Sequence, residues 1–167
     1  MSKTVSVNHT DSAISGVSVL NLSRGLVNFA ADWKVKSNQP SEVVITNMTS
    51  PVAYPERFRF SLGDVKDVYA GSGIAPTLYT PDRRGMSLLC QLTGNWTVTD
   101  TTDASFLQVL PVSAHLVLKL PVNDQITAAM VQTLVARLVS GLYETGLDTT
   151  SRYAALLRGS LIPADLI

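Results

Sequence analysis

At 167 residues the chain has the length of one domain and can bury a sizeable core. Thirteen basic residues balance thirteen acidic ones. This excludes a polycationic tail and weighs against bulk, charge-driven nucleic-acid binding, so any RNA must be held at a local patch. Only 16% of residues are charged while 46% are hydrophobic and mean hydropathy is +0.20, which predicts that part of the apolar surface is an interface.

Residues Met1 to Leu20 lack the charged start and apolar stretch of a targeting signal and alternate as a strand does. They are predicted to form a hairpin within residues 1–24, from Thr4–Asn8 and Ile14–Leu22 around the turn His9-Thr10-Asp11-Ser12. The main sheet is expected over residues 27–120. Its first strand should cover Val27–Lys36, with Phe29, Ala31, Trp33 and Val35 on one face. Ser37-Asn38-Gln39-Pro40 is turn chemistry. Strands follow at Glu42–Thr49 and from Arg57, where Phe58, Phe60 and Leu62 oppose Arg57, Arg59 and Ser61. Residues 67–84, with Gly71, Gly73, Pro76 and Pro81, read as a long exposed loop.

From Leu88 the alternation returns. Leu88, Cys90, Leu92, Trp96 and Val98 share one face, and Leu89, Gln91, Thr93, Asn95, Thr97 and Thr99 the other. Asp100, Thr101, Thr102 and Asp103 open a short polar connection to the last strand, Phe106–Leu120. The sheet is therefore antiparallel, with one apolar face and one rich in Thr, Asn, Arg and Lys. After Pro121, Asn123 or Asp124 is expected to cap a helix running to about Tyr143. Ile126, Met130, Leu134, Leu138 and Leu142 form its stripe, flanked by Val131, Val135 and Val139, and Gly146 should stop it; of these, Ile126, Met130, Leu134, Val135, Leu138 and Leu142 are the expected dimer contacts. A second helix over about Thr150–Leu157 would complete a helical region of residues 124–159. A sheet whose one long helix comes last has little local material to cover its apolar face, so a second copy of the chain is expected to supply the cover.

Catalytic and metal signatures are missing. His9 and His115 have no ligand spacing, Gly71-Ser72-Gly73 lacks the lysine of a phosphate loop, and Cys90, the one cysteine, falls on the apolar face as a packed thiol. Tripeptides of the glycosylation pattern begin at Asn8, Asn21, Asn47 and Asn95 and read as the product of a Thr- and Asn-rich surface. The apolar runs Leu116–Leu120 and Met130–Val139 are interrupted by polar residues and fall short of the roughly 20 residues that span a membrane. The constellation that carries chemistry is the polar sheet face. Thr46, Arg57, Arg59, Gln91, Thr93, Asn95, His115 and Lys119 supply the donors, acceptors and cations that phosphates, sugars and base edges require. No aromatic residue of the predicted strands joins them, so base stacking lacks a platform there.

In this order of elements the chain resembles the coat proteins of single-stranded RNA bacteriophages of levivirus type. The resemblance rests on the N-terminal hairpin, on Phe29-Ala30-Ala31-Asp32-Trp33 opening the sheet, on the pair Val43-Val44-Ile45-Thr46 and Arg57-Phe58-Arg59-Phe60-Ser61-Leu62, and on the last strand ending at Pro121 before the helices. It implies an α+β fold with an N-terminal hairpin, a five-stranded antiparallel sheet and two C-terminal helices, in an intertwined dimer whose helices cross the partner's sheet. It further implies an icosahedral shell around the genomic RNA, with the inner sheet face gripping a stem-loop and repressing translation. Carried over by position, the RNA-touching hydroxyls fall at Val44 and Thr46, the basic position at Arg59 or Arg57, and the stacking Tyr and its neighbouring Asn at Ser113 and His115. Residues 100–105 would be the loop lining the symmetry axes. The expected partners are the chain itself and viral RNA, in a virion assembled in the host cytoplasm, with no cofactor, membrane or small-molecule substrate. The competing reading is a small dimeric α+β ligand-binding module or enzyme with a cleft between sheet and helix, which would need convergent polar groups on the apolar face.

Overall fold

A computed structural model describes residues 26–103, 105–145 and 151–167. The expected N-terminal hairpin, Gly146 and the start of the expected second helix lie outside these residues. The described chain divides into two units, one over Leu26–Val122 and one from Asn123 onward.

The first unit begins with one helical turn, α1 (Phe29–Asp32), where a strand is expected from the alternation. The side chain of Asn28 accepts from the Ala31 amide at 3.1 Å, and the Asp32 amide donates to the Asn28 carbonyl at 3.1 Å. These short-range bonds displace the ladder. They also set Phe29 four residues before Trp33, with ring centroids 5.8 Å apart, and place it 5.6 Å from Phe58. Phe58 in turn lies 5.0 Å from Trp33 and stacks on Phe60 at 5.6 Å. Each such aromatic pair adds roughly 0.5–1.5 kcal/mol beyond area burial.

Five strands follow: β1 (Trp33–Gln39), β2 (Glu42–Asn47), β3 (Arg57–Val65), β4 (Gly85–Thr99) and β5 (Leu107–Pro121). They form an antiparallel meander in sequence order. Pro40-Ser41 makes the first turn, so that Gln39 pairs with Glu42, and a bulge between Val35 and Ser37 takes up Lys36. The β4–β5 ladder runs from Gly85↔Pro121 to Thr99↔Leu107, whereas β3 reaches only as far as Thr93. Residues 94–99 and 107–112 therefore leave the sheet as a two-stranded ribbon. Among the described residues the buried apolar side chains are Trp33 and Leu118.

The loop between β3 and β4 is ordered by its own contacts. Tyr69 and Tyr79 stack at 4.0 Å, the Arg83 guanidinium sits 5.2 Å from the Tyr79 ring centroid, and Pro76–Leu78 forms a 3-10 turn. Its end is pinned at Gly85, where a Cβ would lie 2.6 Å from the Leu120 carbonyl oxygen and strike Val68. Only glycine permits that approach.

In the second unit the long helix is α2 (Ala128–Ser140), capped by Thr127, whose hydroxyl accepts from the Met130 amide at 3.3 Å. The expected caps Asn123 and Asp124 precede it: the Asn123 side chain accepts from Gln125, closing a turn before the helix. The helix ends at Gly141, earlier than expected. A shorter helix, α3 (Tyr153–Leu156), follows. Arg152, just before it, is buried and donates to the carbonyls of Gly141 at 2.9 Å and Leu161 at 2.7 Å. It thereby closes the C-terminal end of α2 onto the chain terminus.

Candidate functional site

Strand register decides which side chains share a face, because residues directly opposite in an antiparallel pair point the same way. Lys34, Thr46, Arg57, Thr93 and Ser113 stand in one row across all five strands. The next row holds Val44, Arg59, Gln91 and His115, and the one after it Glu42, Ser61, Leu89 and Val117. Lys119 opposes Ser87 and Gly63 two residues further on, and Asn95 lies beyond Thr93 toward the ribbon. All eight residues singled out from the sequence thus share one face of the sheet. Val44, Leu89 and Val117 interrupt its polarity. The opposite face carries Phe58, Phe60, Leu62, Leu88, Cys90, Leu92, Leu116 and Leu118. Burial pushes the Cys90 thiol up from its ordinary pKa, in keeping with a packed thiol.

The two arginines of β3 occupy different electrostatic settings. Arg59 is claimed by Glu42 on the neighbouring strand, donating from Nε at 2.8 Å and from Nη2 at 2.5 Å. Its charge is locally neutralised, and Gln91 lies at the limit of hydrogen bonding, 3.5 Å away. Both partners are partly exposed, so the pair adds no more than about 1 kcal/mol to stability and is open to exchange. The Arg57 guanidinium forms no ion pair or hydrogen bond among the described residues, and its Nε is buried without a partner. Opposite it, the hydroxyl of Thr46 is also buried and unpartnered. Among the described residues Arg57 is therefore the uncommitted cation of this strand. His115 and Lys119 are exposed on β5.

Toward the ribbon the polar face sinks into an open depression of about 590 Å³, lined by Tyr54, Arg57, Thr93, Asn95, Pro111 and Ser113 among others. Asn95 Nδ2 donates to the Tyr54 carbonyl at 3.2 Å and ties the β2–β3 loop to β4. The Thr93 hydroxyl donates to the Arg57 carbonyl at 3.5 Å. Sequence reasoning missed both Tyr54 and Glu42 as members of this face. Tyr54 lies between Pro51 and Glu56, where no periodicity assigns a direction. Glu42 reaches Arg59 through a register that the Pro40-Ser41 turn sets.

The connection between β4 and β5 is built from two side-chain turns. Asp100 accepts from the amide and hydroxyl of Thr102 at 2.7 and 2.6 Å, and Asp103 accepts from those of Ser105 at 2.9 and 2.5 Å. The Thr102 hydroxyl and the Ser105 hydroxyl, each seconded by the amide, hold the Asp100 and Asp103 carboxyls below their ordinary pKa. In the helical unit Leu134 and Leu138 are exposed, while Ile126, Met130, Val135 and Leu142 are half-buried. Among the described residues no group of His, Cys, Asp and Glu could hold a metal ion, and no helix is long and apolar enough to cross a membrane.

The described residues thus form a five-stranded antiparallel meander with one polar face, followed in the chain by helices. The chain superposes on a protein described as the virus-like particle of bacteriophage AVE015, with a TM-score of 0.86 and 27% identity over 98% of this chain and 99% of that one. The virus-like particle of bacteriophage GQ-112 gives a TM-score of 0.75 and 18% identity over 95% and 97% of the two chains, a likeness of fold. No protein-family model and no curated protein matches the sequence. The likeness to the first of these, in fold and in sequence over nearly the whole of both chains, is consistent with a bacteriophage coat protein.

Proposed function

We propose that this chain is the subunit of an icosahedral shell enclosing a single-stranded RNA genome, built from intertwined homodimers and packed with RNA against the polar sheet face. The observation that carries the reading is the register: it sets Thr46, Arg57, Arg59, Gln91, Thr93, Asn95, His115 and Lys119 on one face and gives the other face to apolar side chains. Arg57 and Lys119 supply phosphate contacts, and Arg59 reaches a phosphate by exchanging Glu42. Thr, Asn, Gln and His115 supply contacts to sugars and base edges, as gripping one stem-loop and repressing translation would require.

The two sheet edges differ in a way that supports the dimer. The β1 edge is bulged and carries Lys34 and Lys36, which discourages pairing. Among the described residues β5 has no neighbour beyond β4, runs for 15 residues and bears one charge, Lys119. A second copy joining there would continue the sheet, and the stripe of α2 at Ile126, Met130, Leu134, Val135, Leu138 and Leu142 would cover apolar surface of the partner. The exposed Trp96, Leu107 and Leu110 of the ribbon, with the tip at Asp100, Thr101, Thr102 and Asp103, would meet neighbouring dimers around the symmetry axes. The virion, assembled in the bacterial cytoplasm, is the corresponding location.

Expression of this chain alone in bacteria, followed by electron microscopy and nuclease treatment of the purified product, tests the reading. Closed particles with nuclease-protected RNA are expected. Discrete dimers under all conditions would overturn the shell, and particles devoid of RNA would overturn the role given to the polar face.

A further inference from the structure

On the side of the sheet turned away from the polar face, Glu56 carries a charge that no cation among the described residues neutralises. It stands beside Gly94, where a Cβ would lie 3.5 Å from its Cγ and 3.8 Å from its Oε1. Its Oε2 accepts from Asn47 Nδ2 at 2.7 Å, and its amide donates to the Ser50 hydroxyl at 3.0 Å, which closes the β2–β3 loop. A neutral glutamine would close the loop equally well, so these bonds do not account for the charge. Glu56 lines a recess of about 750 Å³ together with Leu92, Trp96, Val112 and Ala114. Leu92 and Ala114 belong to the apolar face by register, and Trp96 and Val112 follow them by alternation. Covering such a recess with apolar groups alone would bury an unpaired carboxylate, which is strongly destabilising.

A surface of matching character lies in the helical unit. Arg158 is exposed, makes no ion pair among the described residues, and donates from Nη1 to the Ala154 carbonyl at 2.8 Å. Leu157, Leu161 and Ile162 near it in the chain are exposed as well. Arg152 fixes the segment by bonding the Leu161 carbonyl at 2.7 Å. One cation among open aliphatic side chains complements one anion in an apolar recess, and a guanidinium also suits the face of the exposed Trp96. We propose that the Arg158 segment of one copy seats in the Glu56 recess of a second copy, with Arg158 and Glu56 paired across the interface. The inference rests on the reading of the chain as a self-associating subunit and names a contact within that association.

Sedimentation velocity of the full-length protein over a dilution series tests this, with circular dichroism to confirm folding. Arg158→Gln and Glu56→Gln should each weaken self-association about tenfold, and the double variant no further than either alone. Arg158→Glu and Glu56→Arg should each lose more. Mixing those two chains should restore association to near the wild-type level, because each copy then offers the charge that the other needs. An additive double variant, or no loss in either single variant, would overturn the pairing and leave self-association standing. Recovery when both reversals are placed in one chain, without rescue on mixing, would mean that the pair forms within a chain and would also overturn the inference. If Glu56→Arg does not fold, the glutamine cycle decides. A wild type that stays monomeric at every concentration would overturn the shell reading together with this contact.

Discussion

Two arginines separated by one residue, Arg57 and Arg59, show how little a residue's type says about its availability. Both belong to the same strand and face, but Glu42 neutralises one of them. Glu42→Gln would keep the size of the side chain and remove its charge, releasing Arg59. RNA affinity at low salt should rise, and the logarithmic salt slope should steepen by roughly 0.7, the contribution of one additional phosphate contact on a single strand. Anisotropy titrations across a salt series measure both quantities, and an unchanged slope would show that Arg59 takes no part in binding RNA. Arg152 is the counterpart in the helical unit, a buried charge that acts structurally. Its guanidinium bonds two carbonyls, with Glu144 3.9 Å away, so no cation is left for a ligand.

In the β4–β5 hairpin and the β3–β4 loop, turn hydrogen bonds hold three carboxyls below their ordinary pKa. The Asp82 carboxyl, bonded by the side chain and amide of Arg84, is held down to about 2 from an ordinary 3.8, and Asp100 and Asp103 are likewise held low by their turn bonds. A carboxyl whose folded pKa lies below its unfolded one contributes its full stabilisation above the unfolded value and loses it as the pH falls through the folded value. For Asp82 the window runs from about 4 down to about 2. Amide NMR should therefore show the resonances of Arg84, Thr102 and Ser105 unchanged from neutral pH to about 4 and shifting below it. Asp100→Asn should remove the shift at Thr102 alone. Transitions above pH 4 would mean that these turns are not held by ionised carboxylates.

For the whole molecule the decisive quantity is exposed apolar surface. Trp96 is 69% exposed and Leu138 60%, and large side chains left so open mark surfaces that partners cover. Leu138→Asp would place a charge where the dimer reading puts a second copy's apolar surface, costing several kcal/mol of association. Light scattering should show dimers lost or unstable in this variant, while replacement of 100–105 by a bulky, rigid segment should leave dimers intact and abolish closed particles. A folded Leu138→Asp protein that dimerises and assembles like the wild type would remove α2 from the interface.

Alternation alone made the strands from Glu42 onward, the division of the sheet into two faces and the long helix legible, because a period of two or of 3.6 is a local property that each segment carries by itself. The same rule misread residues 29–32: Phe29, Ala31 and Trp33 alternate as a strand would, but Asn28 closes a helical turn through bonds that hydropathy does not encode. Which polar side chains are committed to one another was beyond the pattern. The Glu42–Arg59 pair, an Arg57 without an ion pair among the described residues, and Tyr54 beside Asn95 and Ser113 arise from strand register and loop closure. Those juxtapose residues far apart in the chain, through turn geometry and pairing that no single segment contains.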